Sequence, residues 1–164
     1  MKNIGILATL LCLVGCGFSP VYAVKEKGGA HREALASVDV SAPQTREGQL
    51  FARELLTLLG GSAERPIEPL YRAEVTFKED ELPLHIRRDR IVTRYRMHID
   101  GRYVLRRIVD NAIITEGTVS STGGYDRVDS DYSTYVSRRE LRERLVKALA
   151  EECRRRLATS PVAF

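Results

Sequence analysis

The 164-residue sequence has no tryptophan and only three cysteines, two methionines and three histidines. Three cysteines are too few for the disulfide framework that holds many small secreted domains together. The histidines (His31, His85 and His98) are far apart and lack the spacing of metal ligands. With 43% hydrophobic and 29% charged residues, the composition excludes a disordered chain, a collagen-like repeat and a membrane protein with several spans. The length predicts one domain with its own core.

Residue patterns that catalysis needs are also missing. Cys153 has no histidine nearby and lies at a helical spacing typical of a core position. Residues 121–124 have the composition of a turn and do not form a phosphate-binding loop. The run Glu79-Asp80-Glu81 reads as a solvated loop, with weak calcium binding as the alternative. We therefore predict a protein that is not an enzyme and has neither a metal site nor a cofactor.

The first fifteen residues predict an export signal that is removed from the mature chain. Lys2 precedes an apolar run over residues 4–14, which is too short to span a bilayer. The run ends in the tetrapeptide LVGC, which resembles a bacterial lipobox, so that Cys16 would carry diacylglycerol and become the N-terminus. An ordinary signal peptide that contains a cysteine is the alternative. Gly17, in place of aspartate, is typical of lipoproteins sorted to the outer membrane.

The remaining chain divides into three parts. Residues 16–33 have no apolar period and predict a lipidated tether, residues 34–158 predict the domain, and residues 159–164 a tail. The domain begins with a short strand over residues 34–40. A helix over residues 46–59 follows, capped by Thr45 and ended by glycines. The apolar stripe of this helix consists of Phe51, Leu55, Leu58 and Leu59.

Two longer strands are predicted next. Residues 70–78 alternate with odd-numbered residues facing the core, and the acidic run with Pro83 ends this strand or forms a loop. Residues 90–106 alternate in the same way. A hairpin at Asp100-Gly101 would mix apolar and charged residues on one face, so one unbroken strand with an irregularity at Gly101 is favoured.

A three-residue loop over residues 110–112 then leads into a strand over residues 113–121, which ends at two glycines. This register places Tyr103 opposite Val119 and Arg106 opposite Glu116.

A final helix is predicted from Ser133 or Ser137 to Leu157, with a capping box at Ser137. Its buried stripe consists of Leu141, Leu145, Ala148, Leu149 and Cys153. The element order is therefore β-α-β-β-β-α. It predicts an α+β fold, a two-layer sandwich in which two helices cover one face of a four-stranded, mostly antiparallel sheet.

The uncovered face of the sheet is expected to be rich in arginine. The even-numbered residues of the long strand are basic at Arg90, Arg94, Arg96, His98, Arg102 and Arg106. One interpretation is a solvated face with charges that prevent aggregation. The other is a surface for an anionic partner, since arginine binds phosphate through paired hydrogen bonds. Nucleic acid is excluded as a partner by the predicted export.

Several short segments occur in a fixed order: CGFSPVY at 16–22, VDV at 38–40, REGQL at 46–50, GRYVL at 101–105, EG at 116–117 and GYD at 124–126. In this order and spacing they resemble the LptE family of outer-membrane lipoproteins. The resemblance implies two helices on a four-stranded sheet and a non-catalytic role. It also implies a place within the LptD barrel, assistance in assembling that barrel, and insertion of lipopolysaccharide into the outer leaflet. The Arg-rich, Trp-free composition and Pro83 depart from the family pattern.

The resemblance gives the predicted site residues their roles. Cys16 is the lipid anchor, and lipopolysaccharide or barrel contact is assigned to Arg94, Arg96, His98, Arg102 and Arg106. The expected location is the outer membrane, on its periplasmic side or in the barrel lumen. The alternative function is an auxiliary lipoprotein of an ABC-type lipid transport system, and a purely structural lipoprotein without glycolipid contact is also left open.

Overall fold

The computed structural model describes residues 32–60, 62–86 and 92–159, with the side chains of 85, 86 and 92 excepted. The elements are β1 (Val38–Ser41), α1 (Arg46–Gly60), β2 (Tyr71–Ile86), β3 (Val92–Arg107), β4 (Ile113–Asp126) and α2 (Asp131–Thr159). The sheet order is β1-β2-β3-β4, with β1 parallel to β2 and the other pairs antiparallel. The predicted element order and α+β class are confirmed.

The core lies between the sheet and the two helices. Odd-numbered residues of β2, β3 and β4 face the helices, and Phe51 of α1 meets Phe77 of β2 edge-on, with ring centroids 4.9 Å apart. The largest fully buried side chains are Phe51, Leu55, Met97, Leu105, Leu149, Leu157, Val38, Val40, Val146 and Cys153. Burial of this apolar stripe from each element holds the two layers together.

The N-terminal elements are slightly offset from their predicted positions. Residues 32–36 are helical, and Ser37 Oγ donates to the Ala34 carbonyl at 2.7 Å, so the predicted strand over 34–40 begins only at Val38. The predicted cap of α1 is confirmed, because the Gly48 N–H donates to Thr45 Oγ1 at 3.1 Å. Leu58, which the pattern predicts to be buried, is only half-buried, whereas Leu56 is buried.

Strand β2 is nearly twice as long as predicted. It continues through the acidic run and Pro83 to Ile86, with irregular pairing between residues 83 and 86. The predicted loop at Glu79-Asp80-Glu81 is therefore wrong. Pro83 is tolerated because β1 pairs with β2 only as far as Glu74, so beyond that residue one side of β2 is an edge.

Strand β3 is unbroken, as predicted, but the irregularity expected at Gly101 is absent. Gly101 is a packing position: a Cβ there would lie 3.1 Å from Leu149 Cδ2. The predicted hairpin register is wrong by two residues, since Tyr103 lies opposite Gly117. The connection comprises residues 108–112, in which Asn111 adopts a left-handed φ of 57°. A shift of two residues leaves the side chains from Thr115 onward on their predicted face, whereas a bulge after Leu105 places Ile113 opposite Arg106.

Strand β4 and helix α2 are both longer than predicted. Glycines 123 and 124 lie inside β4, not beyond its end. Helix α2 begins at Asp131, and Ser130 Oγ accepts the Ser133 N–H at 3.3 Å, so the capping box predicted at Ser137 is wrong. Ala148, predicted to be buried, is exposed, whereas Val146 and Ala150 are buried.

Candidate interaction surface

The side of the sheet that faces away from the helices is defined here as the open face. Its side chains come from the even-numbered residues of β2, β3 and β4, because side chains alternate along a strand. On β3 these include every basic residue of the predicted site within the described range: Arg94, Arg96, His98, Arg102 and Arg106. Arg90 and the proposed lipid anchor Cys16 lie outside the described residues.

Most of the arginines on the open face have an acidic neighbour on an adjacent strand. Arg102 contacts Glu116 of β4 at 3.2 Å, Arg106 contacts Glu74 of β2 at 3.6 Å, and Arg94 contacts Asp126 of β4 at 3.7 Å. The pair predicted between Arg106 and Glu116 is thus replaced by Arg102 with Glu116, because the register differs by two residues. Exposed pairs of this kind each stabilise the fold by only about 0.2–1 kcal/mol, but they reduce the charge offered to a ligand.

His98 is held between two polar groups of the open face. Its Nδ1 lies 2.5 Å from Thr122 Oγ1 and its Nε2 lies 3.0 Å from Asp100 Oδ1. Lys78 pairs with Asp80 at 2.9 Å on the neighbouring strand. The hydroxyl, imidazole and carboxylate all lie on the open face. We interpret the group as part of the charge network of this surface.

Arg96 differs from the other arginines of the predicted site. It is exposed and has no ion-pair or hydrogen-bond partner within the described ranges. Its neighbour across β2 is Leu82, whose exposed fraction is 58%. Directly opposed side chains of an antiparallel pair have Cβ atoms about 5 Å apart. The open face therefore presents a free guanidinium beside an exposed aliphatic side chain.

The open face as a whole carries interleaved charges of both signs. Its cations are Arg72, Lys78, Arg94, Arg96, Arg102 and Arg106, and its carboxylates are Asp39, Glu74, Asp80, Asp100, Glu116 and Asp126. Asp39 is nearly buried on β1, between Arg65 at 3.5 Å and Arg72 at 3.6 Å. The sequence interpretation placed only Glu116 beside a basic residue of β3 and did not place the other carboxylates of the flanking strands. Their signal is the alternation of β2, whose even-numbered residues from Arg72 to Asp80 are polar.

On the helix side, the acidic run of β2 is bound by arginines of α2. Arg142 donates to both oxygens of Glu79 at 2.8 and 2.6 Å, and Arg138 donates to both oxygens of Glu81 at 3.2 and 2.7 Å. This pair of two-pronged contacts is called the clasp. It joins the N-terminal half of α2 to the far end of β2, so Glu79 and Glu81 have a structural role in place of the predicted solvated one.

Two tyrosines continue the core beneath the clasp. The rings of Tyr95 and Tyr125 stack with centroids 5.4 Å apart. Burial is the main cause, and a hydrogen bond with Glu81 the second, of a rise in the pKa of Tyr125 from 10.0 to about 12. Tyr125 therefore stays protonated at neutral pH, and its hydrogen bond with Glu81 connects the tyrosine pair to the clasp.

The remaining candidates for a site do not form one in the described part of the chain. Burial raises the pKa of the Cys153 thiol to about 12, which makes it a poor nucleophile. Among the described residues, no three His, Cys, Asp or Glu side chains are grouped so that they could hold a metal ion. A cleft of about 190 Å³ below the loop after α1, lined by Leu35, Leu59 and Ile67 among others, is smaller than most ligand sites. None of the described helices could cross a bilayer.

Comparison with known proteins identifies the fold. No family model and no curated protein matches the chain. Several solved structures are similar to the chain. A lipoprotein from Caulobacter crescentus has 20% identity and a TM-score of 0.65, and the match covers 79% of this chain and 93% of that protein. A minor lipoprotein from Acinetobacter baumannii has 11% identity and a TM-score of 0.61, covering 76% and 92%. Lipoprotein B from Nitrosomonas europaea has 11% identity and a TM-score of 0.57, covering 74% and 81%. The chain thus has a fold found in bacterial lipoproteins.

Proposed function

We propose that this protein is a non-catalytic outer-membrane lipoprotein, anchored through Cys16, that acts as LptE proteins do. In that role it would assist assembly of an LptD-like barrel and insertion of lipopolysaccharide into the outer leaflet. The single observation that carries the proposal is the one-sided sheet: α1 and α2 cover one face, and no element of the described residues covers the open face. The lipobox at residues 13–16 and the lipoprotein fold support it.

The proposed glycolipid contact is centred on Arg96. A lipid A phosphate needs a cation that is not already neutralised, and an acyl chain needs exposed apolar surface. Arg96 and Leu82 offer both within one cross-strand pair. Arg94, His98, Arg102 and Arg106 stay in the proposed contact as a surrounding network, whose carboxylate partners an incoming phosphate would have to displace.

Capture of the partner tests the barrel role. The tagged full chain would be purified from outer membranes in mild detergent, and proteins recovered in equimolar amount would be identified by mass spectrometry. A large β-barrel is the expected partner. Recovery alone, or with an inner-membrane ABC transporter, would contradict the proposal, and the transporter would support the auxiliary lipoprotein. Cys16→Ser is the control for anchoring and should remove the chain from the outer-membrane fraction.

A charge reversal tests the glycolipid role. Arg96→Glu in the full lipoprotein is expected to weaken binding to lipopolysaccharide micelles by tenfold or more, because each basic residue near an anionic lipid surface contributes about 1 kcal/mol. Arg53→Glu makes the same charge change at an exposed position of α1 and serves as the matched control. Equal binding by the two variants would reject the open face as the glycolipid surface.

A further inference from the structure

The outer edge of β4 has backbone groups without a hydrogen-bond partner among the described residues. The Arg127 N–H donates to the Thr93 carbonyl at 2.9 Å. Since bonded and non-bonded pairs alternate along an antiparallel ladder, the odd-numbered residues of β4 point their N–H and C=O groups at β3. The even-numbered residues from Glu116 to Asp126 therefore point theirs outward. Such an edge is a template for another strand.

This edge lacks the devices that normally keep sheet edges apart. Residues 117–125 read GTVSSTGGY, without a charge or a proline, and their pairing with β3 is regular. The free edge of β2 beyond Glu74 is different, because it carries Lys78, Pro83 and two register shifts. Lysine, proline and irregular pairing are the usual protections against strand addition. One edge of the sheet is protected and the other is not.

We propose that β4 forms the interface of a symmetric dimer, in which two copies of β4 pair antiparallel about a two-fold axis at Ser120. Ser120 is an even-numbered residue, so both its backbone groups are available for this pairing. The register places Thr118 opposite Thr122 of the second copy and Glu116 opposite Gly124 of the second copy. No like charges face each other, and hydroxyl pairs of this kind stabilise neighbouring strands. The two sheets would join into one.

The helix layer fits the same axis. Leu149 of α2 lies over Gly101 of β3, and Ser121 of β4 donates to the Leu145 carbonyl at 3.0 Å, so α2 runs above the line between these strands. With strands about 4.8 Å apart, the two copies of α2 would lie about 10 Å apart, which is a normal helix-packing distance. Both leucines belong to the part of α2 that is level with Ser120.

The side of α2 that would face the second copy is suited to contact. The α1 side of α2 is marked by Glu143, which contacts Arg46 of α1 at 3.0 Å, and exposed Ala148 lies on the opposite side of the helix. Arg144 and Glu151 flank Ala148 on that exposed side at helical spacing. A two-fold axis near Ala148 brings Arg144 of each copy close to Glu151 of the other, with a small residue between the helices.

Cysteine crosslinking in membranes tests the dimer on the full chain. Bonded antiparallel pairs have Cα atoms about 5.5 Å apart, within disulfide range. Ser120→Cys should therefore give a disulfide-linked species of twice the monomer mass under mild oxidation. Thr118→Cys, on the same strand and face, would lie about 14 Å from its own copy and is the matched control. No crosslink from Ser120→Cys, or equal crosslinking from both, would overturn the proposal.

A second measurement separates the edge from the fold. Two differently tagged full chains should co-purify from one membrane preparation, and Ser120→Pro should reduce this co-purification at least tenfold because proline cannot donate across the edge. Ser120→Ala should leave it unchanged. A Ser120→Pro chain that melts within a few degrees of the parent and still co-purifies would contradict the interface. The dimer does not depend on the proposed function. Self-association of two tagged chains tests the dimer, whereas capture of a partner tests the barrel role.

Discussion

Gly48 shows how one residue can be fixed by the backbone of another. A Cβ on Gly48 would lie 2.0 Å from the carbonyl oxygen of Pro43, a backbone atom that cannot rotate away. Alanine favours a helix over glycine by about 1 kcal/mol, but overpacking of this kind costs about 1–3 kcal/mol or more. Gly48→Ala is therefore expected to lower the free energy of unfolding, measured by urea denaturation. Gln49→Ala, next to it and exposed, should change it by less than about 0.5 kcal/mol; a stabilised Gly48→Ala chain would contradict the packing.

Cys153 gives the stability a dependence on alkaline pH. Burial raises the pKa of the folded thiol from 9.0 to about 12, so above pH 9 the unfolded chain loses a proton that the folded chain keeps. The free energy of unfolding therefore falls as pH rises, by about 1 kcal/mol at pH 10 from this group. The slope between pH 8 and 10 should be shallower in Cys153→Ala than in the parent. Because both chains retain Tyr125, equal slopes would show that the thiol does not contribute.

The clasp is the contact between elements that sequence patterns did not reveal, and it can be measured. The side chains of Arg142 and Glu79 are partly buried, 21% and 30% exposed. A double-mutant cycle with Arg142→Gln and Glu79→Gln is expected to give a coupling energy of about 1 kcal/mol that persists in 1 M salt, since partly buried pairs are little screened. The exposed Arg139–Glu143 pair is the control, and its weaker coupling should be lost in salt. Coupling lost equally in both would contradict the clasp.

Whole elements were predictable where periodicity was strong, and their ends were not. The alternation along β3 was enough to reject a turn at Asp100-Gly101, because a turn would have mixed the two faces. Gly123 and Pro83 were misread as breaks, since the sequence does not show that Leu141 packs over Gly123 or that β2 has a free edge at Pro83. The hairpin register depended on a left-handed Asn111, which the pattern of side chains does not encode.

The candidate site was predictable only in part, for a related reason. The cations of β3 follow from one strand, but the neutralising carboxylates belong to β2 and β4, and their positions depend on the register between strands. Glu116, for example, was assigned to Arg106 and is found beside Arg102. Long-range pairing also explains the clasp, because Glu81 and Arg138 are separated by 57 positions in the sequence.

At the scale of the whole molecule, the balance of charge on the open face should control its affinity for anionic lipid. Glu116→Gln leaves Arg102 without its 3.2 Å partner. The open face then presents a second free cation in addition to Arg96. Binding of the full lipoprotein to anionic vesicles should then increase about fivefold, since one more basic residue near the surface contributes about 1 kcal/mol.

Vesicle sedimentation with and without added salt measures this increase. Glu143→Gln removes the same charge from α2, where Glu143 pairs with Arg46 and Arg139, and controls for net charge alone. In 1 M salt the Debye length falls to about 3 Å, so the advantage of Glu116→Gln should vanish. If Glu143→Gln binds as tightly as Glu116→Gln, the attraction comes from the net charge of the protein and the open face is not the lipid-binding surface.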